Sequence, residues 1–543
     1  MSGIRKLVKP GIHLTRCLSN HVVYSHDRGI VIPDHPHDTL PLSKIFIESL
    51  EKYSSNPCLV NVVNGRTRTY GQVLDHSLRC AWKLRASGVR AGDHVMLYST
   101  NLEDWATSFI ALISVGAVPC LANPGYTEFE LASLCALCDV KFIVCCDSNL
   151  EVAKSVSSRA GIPILFSVDH LTEWIAGTEP ITKVSECEPH STAVICFSSG
   201  TTGLPKGVEL SHFALTKQRQ LLDHPLITAI DFGAPMIGLL PFYHAFGLNA
   251  LNIGMNSGSV VNVFPYFDPA KYLELIQEHK ISQLTMVPPL ILFLVKHPMV
   301  ANFDLSSVRT IYTGAAPLSA SLINDLKETV PSIDDVRQGY GMSEMTCAAT
   351  FQLKGCTTSG SVGSLLPQIT ARIVNPDTDE AVSEGQPGEI LLKGPSRMNG
   401  YYNNPQATAG TIGSDGWLRT GDVARRDEKG LFWIVDRLKE MIKVKGLQVA
   451  PAELEAVLTT HPLISDAAVI AIPDGKSGQA PKAFVTKVPG AQLSDADVKS
   501  FIAAKLSQHK HLAEVEFLDE IPKLPSGKIL RKDLRSADAA KRV

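Results

Sequence analysis

Nowhere does the 543-residue chain string together the roughly eighteen apolar residues that a membrane-spanning helix needs. Its longest candidate, Phe109–Leu121, is shorter and carries Ser114 and Gly116, so it reads as a buried helix or strand. An excess of one charge is missing too. Lys and Arg number 51 against 54 Asp and Glu, a net charge of −3, and no long basic stripe interleaves with aromatics. That balance argues against a nucleic-acid binder. The sequence has no internal repeat and no low-complexity linker. No secretory signal opens it, and its twelve cysteines stop at Cys356, which fits reduced thiols. Cys135 and Cys138 form a CxxC with Cys145 and Cys146 nearby, but zinc wants a second spaced pair and these two are adjacent. Apolar packing is their expected role. The final residues, Ala540-Lys541-Arg542-Val543, lack an S-K-L address. The first 26 residues hold Arg5, Lys6, Lys9 and Arg16 and no acid, which fits a mitochondrial presequence and an unstructured basic extension alike. The expected compartment stays open between cytoplasm and mitochondria.

What is present is a globular composition, 45% apolar and 19% charged, in a chain long enough for at least two domains. Leu42, Ile45, Phe46, Leu50 and Tyr53 recur at helical spacing, so a helix is expected from about Pro41. Up to about Gly200, short apolar runs such as Val95–Leu97, Val118–Leu121 and Val140–Cys145 alternate with helix-like stretches such as Leu102–Val115. A second series follows at Met236–Leu240, Ser259–Val263, Leu284–Val287 and Thr310–Tyr312. Both predict α/β layers with parallel strands, stacked as two subdomains of one large unit. After about Thr350, short strands at Ala371–Val374 and Glu389–Lys393 alternate with turns, predicting a small β-barrel-like subdomain. Beyond Asp436 the pattern predicts a compact α+β unit. Its helix starts at Pro451, strands follow at Asp466–Ile472 and Lys482–Val488, and a second helix spans Ser494–Leu506.

Five stretches stand out against this background. FSSGTTGLPKG, Phe197–Gly207, leaves an apolar strand and offers small hydroxyls, glycines and Lys206. That combination suits a polyphosphate, although a flexible surface loop would look similar. It is not GxxxxGK[ST], because Gly207 follows Lys206. QGYGMSEMT, Gln338–Thr346, sets Glu344 beyond two glycines, where it reads as a Mg²⁺ ligand or a solvated acid. GWLRTGD, Gly416–Asp422, places Asp422 to accept from a ribose or merely to end a turn. DRLKEMIKVKGLQVAP, Asp436–Pro451, packs four cations into ten residues, as a solvated helix face or a hinge over a cleft would. LPSGKILRKDLR, Leu524–Arg535, holds Lys528 in a turn.

In their order along the chain, and with PFYHAFG (Pro241–Gly247) among them, these motifs resemble the adenylate-forming superfamily. Their spacing resembles its 4-coumarate:CoA ligase, acyl-CoA synthetase and firefly luciferase branch, over roughly residues 25–540. The resemblance implies a carboxylate attacking the α-phosphate of ATP, followed by displacement of AMP by a thiol, usually that of coenzyme A. It implies that Ser198, Ser199, Gly200, Thr201, Thr202 and Lys206 cradle the phosphates and that Glu344 holds Mg²⁺. Gln338, Gly339 and Ser343 would border the adenylate, and Asp422 with Arg437 would hold the ribose. Lys439 and Lys443 would contact AMP, Lys445 and Gly446 would line the coenzyme A tunnel, and Lys528 would act on the reacting oxygens. His244 would guard an acyl pocket formed by Tyr243, Phe246, Ala250, Gly314, Ala315, Ala316 and Met342–Ala348. Phe246 and Ala250 stand where plant 4-coumarate ligases tend to carry tyrosine and serine, which favours a plain aryl or medium-chain fatty acid. Tyr266 stands where those relatives carry a basic residue near coenzyme A.

The implied organisation is a basic extension (1–25), an AMP-binding domain (26–435), a hinge at Asp436 and a mobile α+β domain (437–543). The small domain would present Lys528 for adenylation and then rotate to present Lys443–Gly446. The rival readings are a luciferase-like monooxygenase, a stand-alone adenylating enzyme and a catalytically inactive binding protein. The last should have lost charged motif residues, yet Lys206, Glu344, Asp422, Arg437 and Lys528 are all present.

Overall fold

The computed structural model describes the backbone of 23–24 and residues 35–198, 205–228, 230–316, 318–356, 358–444, 447–474, 478–524 and 527–542. Ser199, Gly200, Thr201, Thr202, Lys445 and Gly446 lie outside the described residues.

The first α/β series builds one seven-stranded sheet. Its order is Gly400–Tyr401, Lys206–Ser211, Thr192–Ser198, Val118–Ala122, His94–Tyr98, Phe142–Cys145 and Ile164–Ser167. The five strands from Thr192–Ser198 to Ile164–Ser167 run parallel, as alternating strands and helices require. Helix Glu103–Ser114 is buried along its whole length. The run Phe109–Leu121 is therefore the second half of that helix, a turn at Gly116 (φ 79°) and a buried strand. Cys135, Cys138 and Cys145 sit in an apolar cluster with Leu131, Leu134 and Ile143. The expected first helix runs Leu42–Lys52 and buries Leu42, Ile45, Phe46 and Leu50.

The second series divides between two sheets. Pro235–Gly238 and Val260–Val263 join Pro57–Asn61 in parallel. Gln283–Met286, Thr310–Thr313 and Asp335–Tyr340 form a parallel trio, extended antiparallel by Thr350–Phe351 and Ser364–Leu365. One apolar cluster bridges the units, joining Leu97 and Leu121 to Leu251 and Val261.

The turn-rich region is an open sheet rather than a barrel. Its antiparallel order is Val23–Tyr24, Thr370–Val374, Gly388–Lys393, Leu418–Arg426 and Phe432–Arg437, and among the described residues its two edges do not meet. Dense turns announce antiparallel hairpins, whereas closure also needs strand number and stagger to match, which turns do not encode. One edge strand comes from the basic N-terminal stretch, with Val23 opposite Ala371.

The C-terminal unit has its own core, including Ile442, Leu454, Ile464, Val485 and Ile502. A five-stranded sheet, built chiefly on Ile464–Asp474 paired with Gly478–Lys487, carries helices Pro451–Leu458, Asp495–Ala503 and Arg531–Arg542. The lysine-rich run is a hairpin here, Ile442–Val444 against Leu447–Val449, and not a helix face. Asp436 joins the units. It lies next to the end of the open sheet's last strand, opposite Val423, and its carboxylate accepts from the Ala452 N–H at 2.8 Å. Helix Pro451–Leu458 is thus capped from sixteen residues away, where its own Ala450 offers no side-chain cap.

Candidate active site

Open α/β sheets bind ligands beyond the carboxyl ends of parallel strands. Here the trio Gln283–Met286, Thr310–Thr313 and Asp335–Tyr340 delivers three segments to one place. They are Val287–Pro289, Gly314–Ala316 and the QGYG turn. Thr313 and Gln338 are cross-strand neighbours, and Thr313 Oγ1 and Gln338 Nε2 are both buried without a partner among the described residues. Two adjacent unmet groups at a strand end are what a polar ligand would satisfy. The turn after them is tight. A Cβ on Gly341 would lie 1.8 Å from the Cys347 carbonyl oxygen, so only glycine fits. The chain then makes a single 3₁₀ turn, Ser343–Met345, which buries Glu344.

Glu344 is held by a residue outside every motif. Tyr401 donates its hydroxyl to Glu344 Oε1 at 2.8 Å, and Lys206 Nζ lies 4.5 Å from the centre of the same ring. Strands Thr192–Ser198 and Lys206–Ser211 pair antiparallel, with Ser198 opposite Lys206. Lys206 is the first residue of the returning strand. The phosphate-like loop therefore leads into a strand, unlike loops that open directly onto a helix.

Asp422 is buried and doubly engaged. Tyr340 donates to Oδ2 at 2.7 Å, and Arg437 Nε sits 3.2 Å from Oδ1 across the strand pair. The PFYHAFG turn is fixed by Asn101, whose amide donates to the Gly238 and Leu240 carbonyls and accepts from the Phe242 N–H. It opens helix Ala245–Asn256 with His244 as its cap. Nδ1 of His244 accepts from the Phe246 N–H at 3.3 Å, which leaves the proton on Nε2. A Cβ on Gly314 would sit 3.2 Å from the Gly339 oxygen and 4.0 Å from Phe246 Cε1, so these three motifs share one wall. Asn249 ties that helix to the Thr346 carbonyl, beside Met342 and Ala348.

Lys528 arrives from the other unit. Gly527, at φ 82°, approaches so closely that a Cβ there would meet Pro289 Cδ at 2.8 Å, and Lys296 donates to the Ile464 carbonyl at 3.4 Å. Burial first, then the charges of Arg437 and Lys439, pull the Lys528 ammonium down to about 8, while Asp422 and Glu344 oppose the shift. His244 is lowered to about 4 by burial and by Lys528, so its ring is neutral near pH 7. Four charged motif residues thus act on one ammonium, and that ammonium acts in turn on His244. Lys443 is exposed, and its N–H donates to Gln479 at 2.8 Å.

Residues 46–402 match the AMP-binding enzyme family and 453–528 match the AMP-binding enzyme C-terminal domain. The chain belongs to the AMP-binding enzyme family. It is 38% identical to 4-coumarate–CoA ligase 2 of Nicotiana tabacum, over 94% of this chain and 96% of that one. Among solved structures it is similar to ATP-bound MatB of Rhodopseudomonas palustris, with a TM-score of 0.84 and 27% identity over 91% of this chain and 98% of MatB. It is also similar to o-succinylbenzoate CoA synthetase (MenE) of Bacillus subtilis in complex with its acyl-adenylate intermediate. That match has a TM-score of 0.81 and 25% identity, over 91% and 98% of the two chains.

In this AMP-binding enzyme the motif residues are gathered by groups with no signature of their own. Tyr401, Asn101 and the Val287–Pro289 segment carry no mark in the sequence, and Tyr340, although inside QGYG, is given no role by that motif. No helix among the described residues is long and apolar enough to cross a membrane.

Proposed function

We propose that this AMP-binding enzyme is an ATP-dependent carboxylic acid:CoA ligase for aryl or medium-chain acids, read here in its adenylating arrangement. The observation that carries the proposal is the close approach of the Lys528 loop to the ends of the parallel trio, Gly527 against Pro289, where the ammonium feels the charges of Asp422, Arg437 and Glu344. In the first step a carboxylate oxygen attacks the α-phosphorus of ATP, and the bond from that phosphorus to pyrophosphate breaks. Both reactants are anions, so catalysis is mostly positioning and charge neutralisation. Lys528 supplies a cation at the oxygens between acyl carbon and phosphorus, and Lys206 another on the β/γ side. Asp422, its Oδ1 beside Arg437 and its Oδ2 bonded to Tyr340, is the acceptor for the ribose hydroxyls. Ser198 begins the phosphate loop that Ser199–Thr202 continues. Gln338, Gly339 and Ser343 border the adenylate.

Glu344 fits a magnesium site, since one oxygen is fixed by Tyr401 and the other is left for a hard cation that needs only one or two carboxylates beside phosphate. When bound, Mg²⁺ would neutralise phosphate charge. In the second step the coenzyme A thiolate attacks the acyl carbon, the bond to AMP breaks and AMP leaves with the electron pair. The small domain, residues 437–543, would turn about Asp436 to bring Lys443, Lys445 and Gly446 to the cleft, with Lys439 near AMP. The acyl pocket of Tyr243, Phe246, Ala250, Gly314, Ala315, Ala316, Met342 and Ala348 offers few hydroxyls, which favours an apolar acid.

A panel of aryl and medium-chain acids, scored for AMP release with and without coenzyme A, tests the reading. AMP that rises with coenzyme A for at least one acid supports it. AMP that never depends on coenzyme A defeats it.

A further inference from the structure

Lys528 sits in a short loop, and both ends of that loop are tied to one strand of the small domain. Inside the loop, Lys523 bridges to Ile529, Leu524 N–H donates to the Lys528 carbonyl at 2.8 Å and Leu530 N–H to Pro522 at 2.9 Å. At its start, Lys523 Nζ donates to Asp466 Oδ2 at 2.5 Å. At its end, Arg531 grips Glu455 with one nitrogen on both oxygens, at 2.8 and 2.7 Å, and donates Nε to the Val469 carbonyl at 3.3 Å. Glu455 also accepts from the Val469 N–H at 2.7 Å. Asp466 and Val469 both belong to Ile464–Asp474, so both ends are clamped to a single strand. The Arg531–Glu455 pair is sheltered, with side chains only 15% and 13% exposed. Asp436 accepts from the Ala452 N–H at 2.8 Å on the helix that carries Glu455, its charge and that of Glu440 act on Arg531, and Arg535, one turn on, pairs with Glu440.

We propose that the Glu455–Arg531 pair, with Lys523–Asp466 as its lesser counterpart, positions Lys528 for adenylation and links that loop to the hinge at Asp436. The inference rests on the ligase reading, in which Lys528 serves only the first half-reaction. Glu455 and Arg531 do not touch the reacting atoms. They are positioning residues, and their work is to hold one ammonium where an error of about 1 Å can cost on the order of 100-fold in rate. Arg is suited to this because its planar fork is fixed by two partners at once, where Lys would hold only one. A bland alternative is that the pair merely ties helix Pro451–Leu458 to helix Arg531–Arg542. That role would affect both half-reactions alike.

The test uses the full chain and the best acid from the panel. Adenylation is read as ATP–pyrophosphate exchange, and thioester formation as conversion of supplied acyl-adenylate with coenzyme A. Glu455→Gln is expected to lower kcat for exchange by roughly 10–100-fold while KM for ATP changes less than about threefold and thioester formation less than about twofold. Arg531→Lys, which keeps the charge and loses the fork, should fall between. Lys523→Met, in the more exposed pair, should shift the ratio of half-reactions in the same direction by a smaller factor, and it decides the matter if Glu455→Gln does not fold. Unchanged exchange, or equal loss in both half-reactions, overturns the inference. Failure of the ligase reading itself is seen earlier and separately, as wild-type enzyme that makes no coenzyme A-dependent AMP from any acid.

Discussion

Asp422 and Arg437 face each other across two antiparallel strands, 3.2 Å from Oδ1 to Nε, while Tyr340 reaches from a different sheet to Oδ2 at 2.7 Å. Engaged once on each oxygen, the buried carboxylate keeps a further lone pair on each for a ligand. Removing the phenol in Tyr340→Phe strips a hydrogen bond from a charged acceptor, a change of about 1–3 kcal/mol. The expected result is a KM for ATP raised by roughly 5–100-fold, with kcat for adenylation moved much less. Steady-state pyrophosphate exchange at varied ATP checks it. An unchanged KM would mean that Tyr340 orients nothing the nucleotide uses.

Tyr401 joins two motif residues by two different forces, donating its hydroxyl to Glu344 and presenting its ring to Lys206. The forces separate by substitution. Tyr401→Phe keeps the ring and loses the hydroxyl, so it should raise the Mg²⁺ concentration needed for half-maximal adenylation by several-fold and leave Lys206 in place. Tyr401→Leu loses the cation–π contact as well, about 0.5–2 kcal/mol, and should weaken ATP binding further. Magnesium titrations of the two variants against wild type decide this. Identical curves for Phe and Leu would remove the ring from the account.

The Lys528 ammonium, drawn down to about 8 by burial and by Arg437 and Lys439, loses its charge as pH rises through that value. The charged form is the useful one, so adenylation should fall on the alkaline side, starting near pH 8. Bound triphosphate, being anionic, should push that limb upward. His244 is neutral from about pH 5 and contributes no limb between pH 6 and 8. Lys528→Arg, which stays protonated, should be slower at pH 7 but flat up to pH 9. An alkaline limb that persists in Lys528→Arg would assign it to another group.

These predictions rest on contacts that differ in how legible they were. The chemical groups were readable because each lies in a dense local pattern, such as Lys206 after SSGTTGLP or Glu344 after QGYGMS. Their holders were not, because Tyr401 and Glu344 lie 57 residues apart and Tyr340 and Asp422 lie 82 apart, and no local pattern records such pairs. Periodicity finds helix Leu42–Lys52, since burial of one face leaves a trace in spacing, and a continuous apolar run finds the strand Thr192–Ser198, which is buried on both faces. It missed that Lys206 returns antiparallel to that strand, because the pairing of Ser198 with Lys206 depends on the partner. The barrel reading failed for the same reason. Turns mark where strands end, while closure depends on which strands meet at the edges.

Gly527 offers the most direct control of how the two units meet. Its φ of 82° suits glycine, and a Cβ would fall 2.8 Å from Pro289 Cδ and 2.9 Å from Cγ. Gly527→Ala therefore adds backbone strain, on the order of 1–2 kcal/mol, and a clash that lifts Lys528 from the ends of the parallel trio. Adenylation should drop at least tenfold, approaching the loss in Lys528→Ala, while supplied acyl-adenylate is still converted to thioester at close to the wild-type rate. The clash and the strain can be told apart. Pro289→Ala removes Cγ and Cδ, so the double variant Gly527→Ala/Pro289→Ala should recover part of the lost exchange activity, because only the strain remains. Coupling of this sign, read from a four-corner cycle of exchange rates, places the Gly527–Pro289 contact in the adenylating arrangement. Simple additivity would mean that the two residues do not meet when the enzyme reacts.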